Sequence, residues 1–183
     1  MSKYSLICTS LLFLGCCAVQ QATYDRADWQ HWVDADGDCQ DTRQEVLIAE
    51  SIVIPTLHEG GCRLLEGEWL DHFTGVTFID PSQLDIDHLV PFREAHISGG
   101  QSWTAEQRRQ FANDLSDERS LITVSAGANK SKGARDPAHW LPSNEEYRCA
   151  YVSDWIAVKA NWQLEIDVEE ALAISAVLEG CAP

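Results

Sequence analysis

Apolar and polar positions alternate over a short stretch near the middle of the chain. Residues 84–90 alternate apolar side chains with Asp85 and Asp87, which predicts a β-strand with one buried face. Proline cannot donate a hydrogen bond to a sheet, so we expect the strand to end at Pro91. Neighbouring strand residues point to opposite faces, so Asp87 and His88 either lie on the two sides of a ligand across the strand end or are brought to one side by a turn of the backbone there.

The same periodicities predict a mixed α and β domain around this strand. Further short strands are predicted at 62–65, 76–79 and 121–124. Apolar spacing and capping residues predict helices at 42–54, 92–97, 104–114, 144–159 and 168–179, and the small, polar segment 125–133 predicts a turn into a short helix. No repeat or low-complexity tract interrupts these elements. We therefore expect one α+β domain in residues 23–183.

Residues 1–22 have the pattern of a signal peptide. Lys3 precedes an apolar run at 4–15, which is of signal length and too short to span a membrane. A lipoprotein-type site before Cys16 and ordinary cleavage near Ala18 or Ala22 both fit this segment. We expect an exported protein that is secreted, periplasmic or lipid-anchored at the cell envelope.

Removal of the signal leaves four of the seven cysteines. An even number in an exported domain predicts two disulfides, and four cysteines allow three pairings. We favour Cys39–Cys62 and Cys149–Cys181, because each pair closes a local loop and ties down a terminal region. A zinc site is the alternative, and the absence of any C-x-x-C pair argues against it.

Several motifs along the chain together carry a family resemblance. The main ones are Asp87-His88-Leu89-Val90-Pro91, the Leu-Ile-Thr-Val run at 121–124 and Asn129-Lys130-Ser131-Lys132-Gly133. Asp38–Arg43, Phe111–Leu115, Asp136-Pro137 and Trp140–Pro142 extend the set. The chain resembles the His-Asn-His (HNH, ββα-metal) endonucleases, and more closely exported bacterial members related to the C-terminal domain of GmrSD-type restriction enzymes.

This resemblance implies a fold and a set of site residues. The core would be a ββα-metal unit, stapled by the disulfides and extended by further helices. His88 would be the general base that activates water, and Asp87 and Asn129 would bind one divalent cation. Both ligands are hard oxygen donors, which suit Mg²⁺ or Mn²⁺ better than zinc. An unperturbed imidazole is largely neutral at neutral pH, as a base must be.

Other positions match the family pattern less closely. Lys130, Lys132 and Arg135 surround the start of the predicted short helix and are expected to contact flanking phosphates. The middle asparagine of the HNH pattern is replaced by Ser120. We assign that amide role to Asn113, in the preceding helix.

The function implied by the resemblance is hydrolysis of phosphodiester bonds in DNA, with RNA as a further candidate. The products would carry 5′-phosphate and 3′-hydroxyl ends, and the enzyme is expected to be a monomer. The alternative is a catalytically inactive exported binding module with the same fold. Calcium would stabilise such a module.

The net charge bears on this function. The chain has 29 acidic and 13 basic residues, a formal charge of −16, which argues against general attraction to nucleic acid. Seven of the basic but only six of the acidic residues lie between Arg108 and Arg148. The excess negative charge therefore lies away from the proposed site, and we expect weak, salt-sensitive substrate binding.

An acidic segment before the first helix matches a calcium loop. The residues at loop positions 1, 3, 5, 7, 9 and 12 are Asp34, Asp36, Asp38, Gln40, Thr42 and Glu45. Cys39 occupies the turn position that normally needs glycine. A structural Ca²⁺ and a plain acidic loop that caps the helix are both open interpretations.

Overall fold

The computed structural model describes residues 23–181, which form a mixed α and β structure. Their helices are α1 Thr42–Ala49, α2 Phe92–Ile97, α3 Ala105–Ala112, α4 Ala126–Lys132, α5 Arg148–Asn161 and α6 Val168–Glu179. Their strands are β1 Thr56–Leu57, β2 Leu64–Glu66, β3 Trp69–Asp71, β4 Val76–Phe78, β5 Leu84–His88 and β6 Leu121–Ser125. The expected α+β class is confirmed. The expected signal peptide at 1–22 lies outside the described residues, and none of the helices within them has the length and apolarity needed to cross a membrane.

The strands pair into three two-stranded antiparallel sheets, β1–β2, β3–β4 and β5–β6. In the β5–β6 sheet, Asp87 lies opposite Ile122 and His88 opposite Leu121. The α4 helix begins directly after β6, because the Ser125 hydroxyl accepts a hydrogen bond from the amide three residues on, at 3.2 Å. Two antiparallel strands and a short helix therefore form one local unit around Asp87 and His88.

The two faces of the β5–β6 sheet pack against different hydrophobic clusters. On one face, Ile122 and Val124 join a large cluster that contains Trp29 and Trp155. On the other face, Leu84 and Ile86 belong to a smaller cluster with residues of α1. Because both faces are covered, the strand that carries Asp87 and His88 is held rigidly.

A buried ion cluster joins three of the helices. The Lys159 ammonium on α5 lies 2.7 Å from a carboxylate oxygen of Glu94 on α2 and 2.7 Å from one of Glu170 on α6. Lys159 also donates to the carbonyl oxygen of Glu165 at 2.9 Å. Burial raises the pKa of the Glu170 carboxyl, and the neighbouring ammonium opposes this shift. The cluster fixes α2, which begins shortly after β5, against α5 and α6.

The first helix is shorter than the sequence predicts. A helix over 42–54 was expected, but α1 ends at Ala49. The Glu50 side chain turns away to accept a hydrogen bond from the Thr123 amide at 2.7 Å, and the Ile52 amide donates to the Glu68 carbonyl at 2.8 Å. These long-range bonds take the chain out of the helix before Pro55, where the sequence placed its end.

The two disulfides are Cys39–Cys62 and Cys149–Cys181, the pairing favoured from the sequence. The first joins the acidic loop before α1 to the loop before β2. The second joins the start of α5 to Cys181, two residues after α6. The C-terminal end of the described chain is thereby tied to α5.

Loss of the second disulfide is expected to destabilise the fold strongly. The bond closes a segment with a sequence separation of 32 residues, for which loop-closure entropy gives about 4 kcal/mol. We expect Cys149→Ser/Cys181→Ser to lower the free energy of unfolding by about that amount, measured by denaturant titration without reductant. Under reducing conditions the parent should unfold more easily, whereas this variant should lose only the contribution of Cys39–Cys62. An unchanged unfolding midpoint in the double variant would contradict the prediction.

Candidate active site

His88, the last residue of β5, has a buried ring, and only 8% of the residue is exposed. Its Nε2 lies 2.9 Å from the Ala112 carbonyl oxygen. The ring stacks on Trp32 and contacts Phe92, with centroid distances of 5.4 and 4.1 Å. A carbonyl oxygen only accepts, so Nε2 carries the proton and Nδ1 keeps a free lone pair. Burial is the main cause that lowers the pKa of this imidazole to about 3, which leaves the ring neutral at pH 7.

Asp87 is paired with a buried lysine. The Lys132 ammonium on α4 lies 2.5 Å from Asp87 Oδ2 and donates to the His88 carbonyl oxygen at 2.9 Å. Lys132 is 0% exposed and Asp87 4% exposed. Burial raises the pKa of the Asp87 carboxyl and lowers that of the Lys132 amine, and their attraction opposes both shifts. The expectation that Lys132 contacts a substrate phosphate is wrong, because its ammonium is fully enclosed by protein.

Asn129 lies one helical turn before Lys132 on the same face of α4. Its side-chain amide donates from Nδ2 to Asp85 Oδ2 at 3.1 Å. This bond orients the carboxamide, since the nitrogen is committed to Asp85 and the carbonyl oxygen is left for another partner. Asp85 and Asp87 are two residues apart on β5 and share one face of the strand. Two contacts between α4 and β5 therefore fix the ligand residues: Asn129 is oriented by Asp85, and Asp87 is held by Lys132.

Asp87, His88 and Asn129 line one cavity of about 310 Å³. Its remaining walls come from the N-terminal segment, the start of α2 and the end of α4. They include Tyr24, Arg26, Ile86, Pro91, Phe92, Arg93, Gly133 and Ala134. The structure therefore brings together the expected base and both expected metal ligands, although Asn129 lies more than forty positions after Asp87 and His88 in sequence.

Asn113 is remote from the lining of this cavity. Its Oδ1 accepts from the Val33 amide at 3.1 Å and the Thr42 hydroxyl at 2.9 Å, and its Nδ2 donates to the Gln30 and Arg109 carbonyls, both at 2.8 Å. The catalytic role expected for Asn113 is corrected on this point, because its carboxamide is engaged in four hydrogen bonds within the protein, two of which hold the loop at 30–33. That loop carries Trp32, which stacks on His88. Asn113 is therefore placed to act on His88 only through the loop.

The two other expected phosphate-binding residues are exposed. Lys130 is on the outer side of α4, and Arg135 follows the helix. The Arg135 guanidinium donates from Nε to the Lys132 carbonyl oxygen at 3.1 Å. Both positive charges remain open to an anionic ligand, so their assignment stays a prediction.

Four residues near the site were not predicted from the sequence. Trp32 packs on His88, and Tyr24, Arg26 and Arg93 line the cavity. Arg93 follows Pro91 by two positions, and this proximity to the D-H-x-x-P motif was a usable signal. The other three residues lie more than fifty positions before His88, and no sequence pattern connects them with it.

The family model described as "GmrSD restriction endonucleases, C-terminal domain" matches residues 41–177. The chain belongs to this family. It is also 37% identical over 161 residues to an "Uncharacterized secreted protein" of Arthroderma benhamiae, a match that covers 88% of this chain and 77% of that protein. No solved structure matches the chain. The family resemblance is confirmed, but its restriction to exported bacterial proteins stays a prediction, because this relative is fungal.

The matched range of the GmrSD C-terminal-domain family contains the central part of the site. Asp87, His88, Asn129 and Lys132 all lie within 41–177. The N-terminal segment that contributes Tyr24, Arg26 and Trp32 precedes this range. The cavity is therefore completed by residues from outside the part of the chain that matches the family model.

The donor atoms at the cavity fit a divalent cation such as Mg²⁺ or Mn²⁺. Lys132 occupies one oxygen of Asp87, whereas the second oxygen and the Asn129 carbonyl oxygen have no hydrogen-bond partner within residues 23–181. Carboxylate and amide oxygens are hard ligands of the type these cations take. Asp87 and Asn129 are therefore the residues that would hold the ion.

The acidic segment before α1 forms a second cluster of oxygen donors. One carboxylate oxygen from each of Asp34, Asp36 and Asp38 lies within 4.8 Å of the other two. Glu45 Oε2 is shielded from solvent and has no hydrogen-bond partner among the described residues. Burial, followed by the charges of the three aspartates, raises the pKa of the Glu45 carboxyl. The three aspartates of the expected calcium loop come together, Glu45 is near enough to feel their charges, and calcium binding there stays a prediction.

A calcium titration separates the two interpretations of this loop. If the loop binds Ca²⁺, the parent should melt at a higher temperature as Ca²⁺ is added, because the ion binds only the folded state. Asp36→Asn should remove this shift and should slightly stabilise the metal-free protein, since it relieves repulsion among the acids. Glu59→Gln, in an exposed loop, is the control and should keep the shift. A melting temperature that Ca²⁺ leaves unchanged in the parent would establish a plain acidic loop.

Proposed function

We propose that this chain is an exported, metal-dependent HNH endonuclease whose ββα core is formed by β5, β6 and α4. Three features support this proposal: the order of two antiparallel strands and a helix, the Asp87-His88 pair at the end of the first strand, and Asn129 on the helix. Membership of a restriction-endonuclease domain family also supports nuclease activity. The proposed substrate is DNA, with RNA as a further candidate.

One observation carries most of the proposal. A neutral imidazole with a free Nδ1 lies beside two hard oxygen donors in a single cavity. A buried histidine with a purely structural role needs no second acceptor atom and no neighbouring pair of oxygen ligands. A histidine that acts as general base on water needs a nitrogen with a free lone pair, and it must be unprotonated before the reaction. The tautomer fixed by Ala112 meets both requirements.

In the proposed reaction, His88 Nδ1 accepts a proton from a water molecule whose oxygen attacks the scissile phosphorus. The new bond joins that oxygen to phosphorus, and the bond from phosphorus to the 3′-oxygen breaks. The departing 3′-oxygen takes up a proton, which gives 3′-hydroxyl and 5′-phosphate ends. The Ala112 carbonyl stabilises the imidazolium through Nε2–H while the proton is held. A cation bound by Asp87 and Asn129 would supply charge stabilisation at the leaving oxygen.

In this mechanism Lys132 acts as a positioning residue. Its ammonium bridges Asp87 Oδ2 and the His88 carbonyl, so one side chain sets both residues. The bridge directs the second Asp87 oxygen away from Lys132 and leaves it as the ligand atom. It also fixes the backbone at the strand end, where His88 must hold its ring against Trp32 and Phe92. The ammonium is enclosed, so it supplies this order without contacting the substrate.

Export of the protein is part of the proposal. Disulfides persist in oxidising compartments, and the fungal relative is named as a secreted protein. We propose residues 1–22 as the signal peptide and residues 23–183 as a single nuclease domain. Soluble release and a lipid anchor at Cys16 remain the alternatives for the mature form, which we propose to be a monomer.

A plasmid assay tests the proposed function. Purified residues 23–183 should nick supercoiled DNA with Mg²⁺ or Mn²⁺, and excess EDTA should stop the reaction. The nicks should be sealed by DNA ligase without prior treatment with kinase, because ligase requires a 5′-phosphate next to a 3′-hydroxyl. The same assay on single-stranded DNA and on RNA defines the substrate range. If no metal restores cleavage to the folded protein, the alternative of an inactive binding module with this fold is favoured.

A further inference from the structure

Positive charges are rare in this chain, and most of the basic side chains between Arg108 and Arg148 form ion pairs with acids. Five lysine and arginine side chains of residues 23–181 form ion pairs with acids: Arg109, Arg119, Lys132, Arg148 and Lys159. Four of the seven basic residues between Arg108 and Arg148 are therefore neutralised. The basic segment recognised in the sequence is thus a poorer anion-binding surface than its composition indicates.

Arg26 and Arg93 differ from these paired residues. Both are exposed, both line the cavity that contains His88, and neither forms an ion pair within residues 23–181. Lys130 and Arg135 lie nearby, on and just after α4. Seven lysine and arginine side chains of residues 23–181 form no ion pair, and four of them lie at or beside the candidate active site, whereas Arg43, Arg63 and Arg108 do not line its cavity.

Arg26 is held in place by aromatic packing. Its guanidinium carbon lies 5.1 Å from the centroid of the Phe92 ring. Trp29, three residues on, is 1% exposed and stacks on the same ring at 5.1 Å. The guanidinium is close enough to His88 to contribute to lowering the pKa of its imidazole. Arg26 is thus a fixed positive charge at the edge of the catalytic cavity, where its exposed guanidinium also forms a hydrogen bond with Tyr24.

Arg93 is placed from the other side by α2. Its neighbours Phe92 and Glu94 are buried in the core and in the Lys159 cluster, so the position of its backbone is fixed. Its charge acts on Tyr24, as does that of Arg26. Two guanidinium groups from segments far apart in sequence therefore lie around the same tyrosine.

We propose that Arg26 and Arg93 bind the phosphates that flank the scissile phosphodiester of a nucleic acid. The proposal rests on the nuclease function proposed above. Guanidinium groups bind phosphate oxygens through paired N–H bonds. A protein of charge −16 repels a polyanion at long range, so binding must come from local contacts. The cavity offers these contacts beside the base and the metal ligands: Arg26 from the N-terminal segment that precedes the range matched by the family model, and Arg93 from α2 within that range.

Salt dependence of binding tests this assignment. His88→Ala serves as the parent, so that the DNA stays intact, and binding to a fluorescein-labelled duplex is followed by anisotropy in Mg²⁺ at several salt concentrations. The slope of log K against log salt should become shallower by about 0.9 for each arginine replaced by alanine on duplex DNA, and by about 0.7 on single-stranded DNA. Affinity at low salt should fall by about tenfold for each arginine. A labelled RNA of the same sequence forms a further arm.

Arg63→Ala is the matched control, since it also removes one exposed arginine but lies outside the cavity. It should keep the slope of the parent. Arg26→Lys preserves the charge near Phe92 and should keep most of the slope, which guards against a packing defect in Arg26→Ala. Arg93→Ala removes an exposed side chain that forms no hydrogen bond or ion pair among the described residues, so it should fold normally.

The outcomes distinguish this inference from the proposed function. If the wild-type protein cleaves DNA but Arg26→Ala/Arg93→Ala binds with the slope of the parent, the phosphate assignment is wrong and the nuclease proposal stands. If the slope falls as expected but the wild-type protein cleaves nothing, the surface binds nucleic acid and the hydrolytic proposal is wrong. If all variants, including Arg63→Ala, lose the same slope, binding is non-specific and the assignment is again overturned.

Discussion

Replacing His88 with alanine is expected to lower kcat for DNA cleavage by about 10²–10⁴-fold, the usual contribution of a general base. The imidazole is the group in the cavity with a free nitrogen and a fixed tautomer, and no neighbouring side chain lies in the same position to replace it. The measurement is cleavage of plasmid or labelled duplex under saturating Mn²⁺. KM should change much less than kcat, because the histidine acts on water rather than on the nucleic acid.

Two further variants make this result interpretable. His88→Gln has an amide N–H that can donate to the Ala112 carbonyl, but it has no basic nitrogen, so it should fold like the parent and be as inactive as His88→Ala. His58→Ala changes an exposed histidine far from the cavity and should retain full activity. Cleavage by His88→Gln at the rate of the parent would remove His88 from the mechanism.

Lys132→Met should have the largest effect on stability. It leaves the Asp87 carboxylate buried without its counter-charge, and breaking a buried pair in this way costs about 3–5 kcal/mol. It also removes the hydrogen bond to the His88 carbonyl. We expect the free energy of unfolding to fall by this amount in denaturant titrations. Cleavage activity should fall as well, since the variant loses the contact that orients both Asp87 and the strand end.

Lys130→Met is the matched control, because it makes the same chemical change two residues earlier on the exposed side of α4. It should alter stability by at most about 0.5 kcal/mol. The double variant Asp87→Asn/Lys132→Met removes both charges and should recover much of the stability, but no activity. If Lys132→Met is as stable as Lys130→Met, the buried pair does not hold the site together.

Much of the site was visible in the sequence because its motifs are local. Alternation at 84–90 located β5, and the D-H pair, the Leu-Ile-Thr-Val run and Asn129 followed in the correct order. The disulfides were also accessible, because each joins segments that the chain order leaves near a terminus of the domain. The site motifs and the disulfides were predictable for the same reason. Strand periodicity, proline and cysteine spacing are patterns that can be recognised in the sequence itself.

The sequence could not show which basic side chains are buried. Lys132 and Lys130 belong to one short run, yet one is enclosed beside Asp87 and the other faces solvent. This difference arises from the rotation of α4 against β5, which depends on packing rather than on local pattern. Asn113 shows the same limit, since its four hydrogen bonds reach segments up to 83 positions away.

The assignment of charge changed for a similar reason. Counting residues between Arg108 and Arg148 pointed to a basic region, but three of its arginines pair with nearby acids. Arg26 and Arg93 lie outside that region in sequence and reach the cavity through aromatic packing and through α2. A net count over a segment therefore overstated the charge available there, since only Arg108, Lys130 and Arg135 of its seven basic residues form no ion pair, and it omitted Arg26 and Arg93.

Chemical rescue of His88→Gly tests the central claim most directly. The glycine variant leaves a space between Trp32 and Phe92 into which free imidazole can diffuse and act as the base. The measurement is the rate of DNA cleavage with Mn²⁺ at increasing imidazole concentration, with His58→Gly as the control. The account predicts a slow variant whose rate rises with neutral imidazole, while the control is unaffected. A folded His88→Gly variant that cleaves as fast as the parent without imidazole would contradict it.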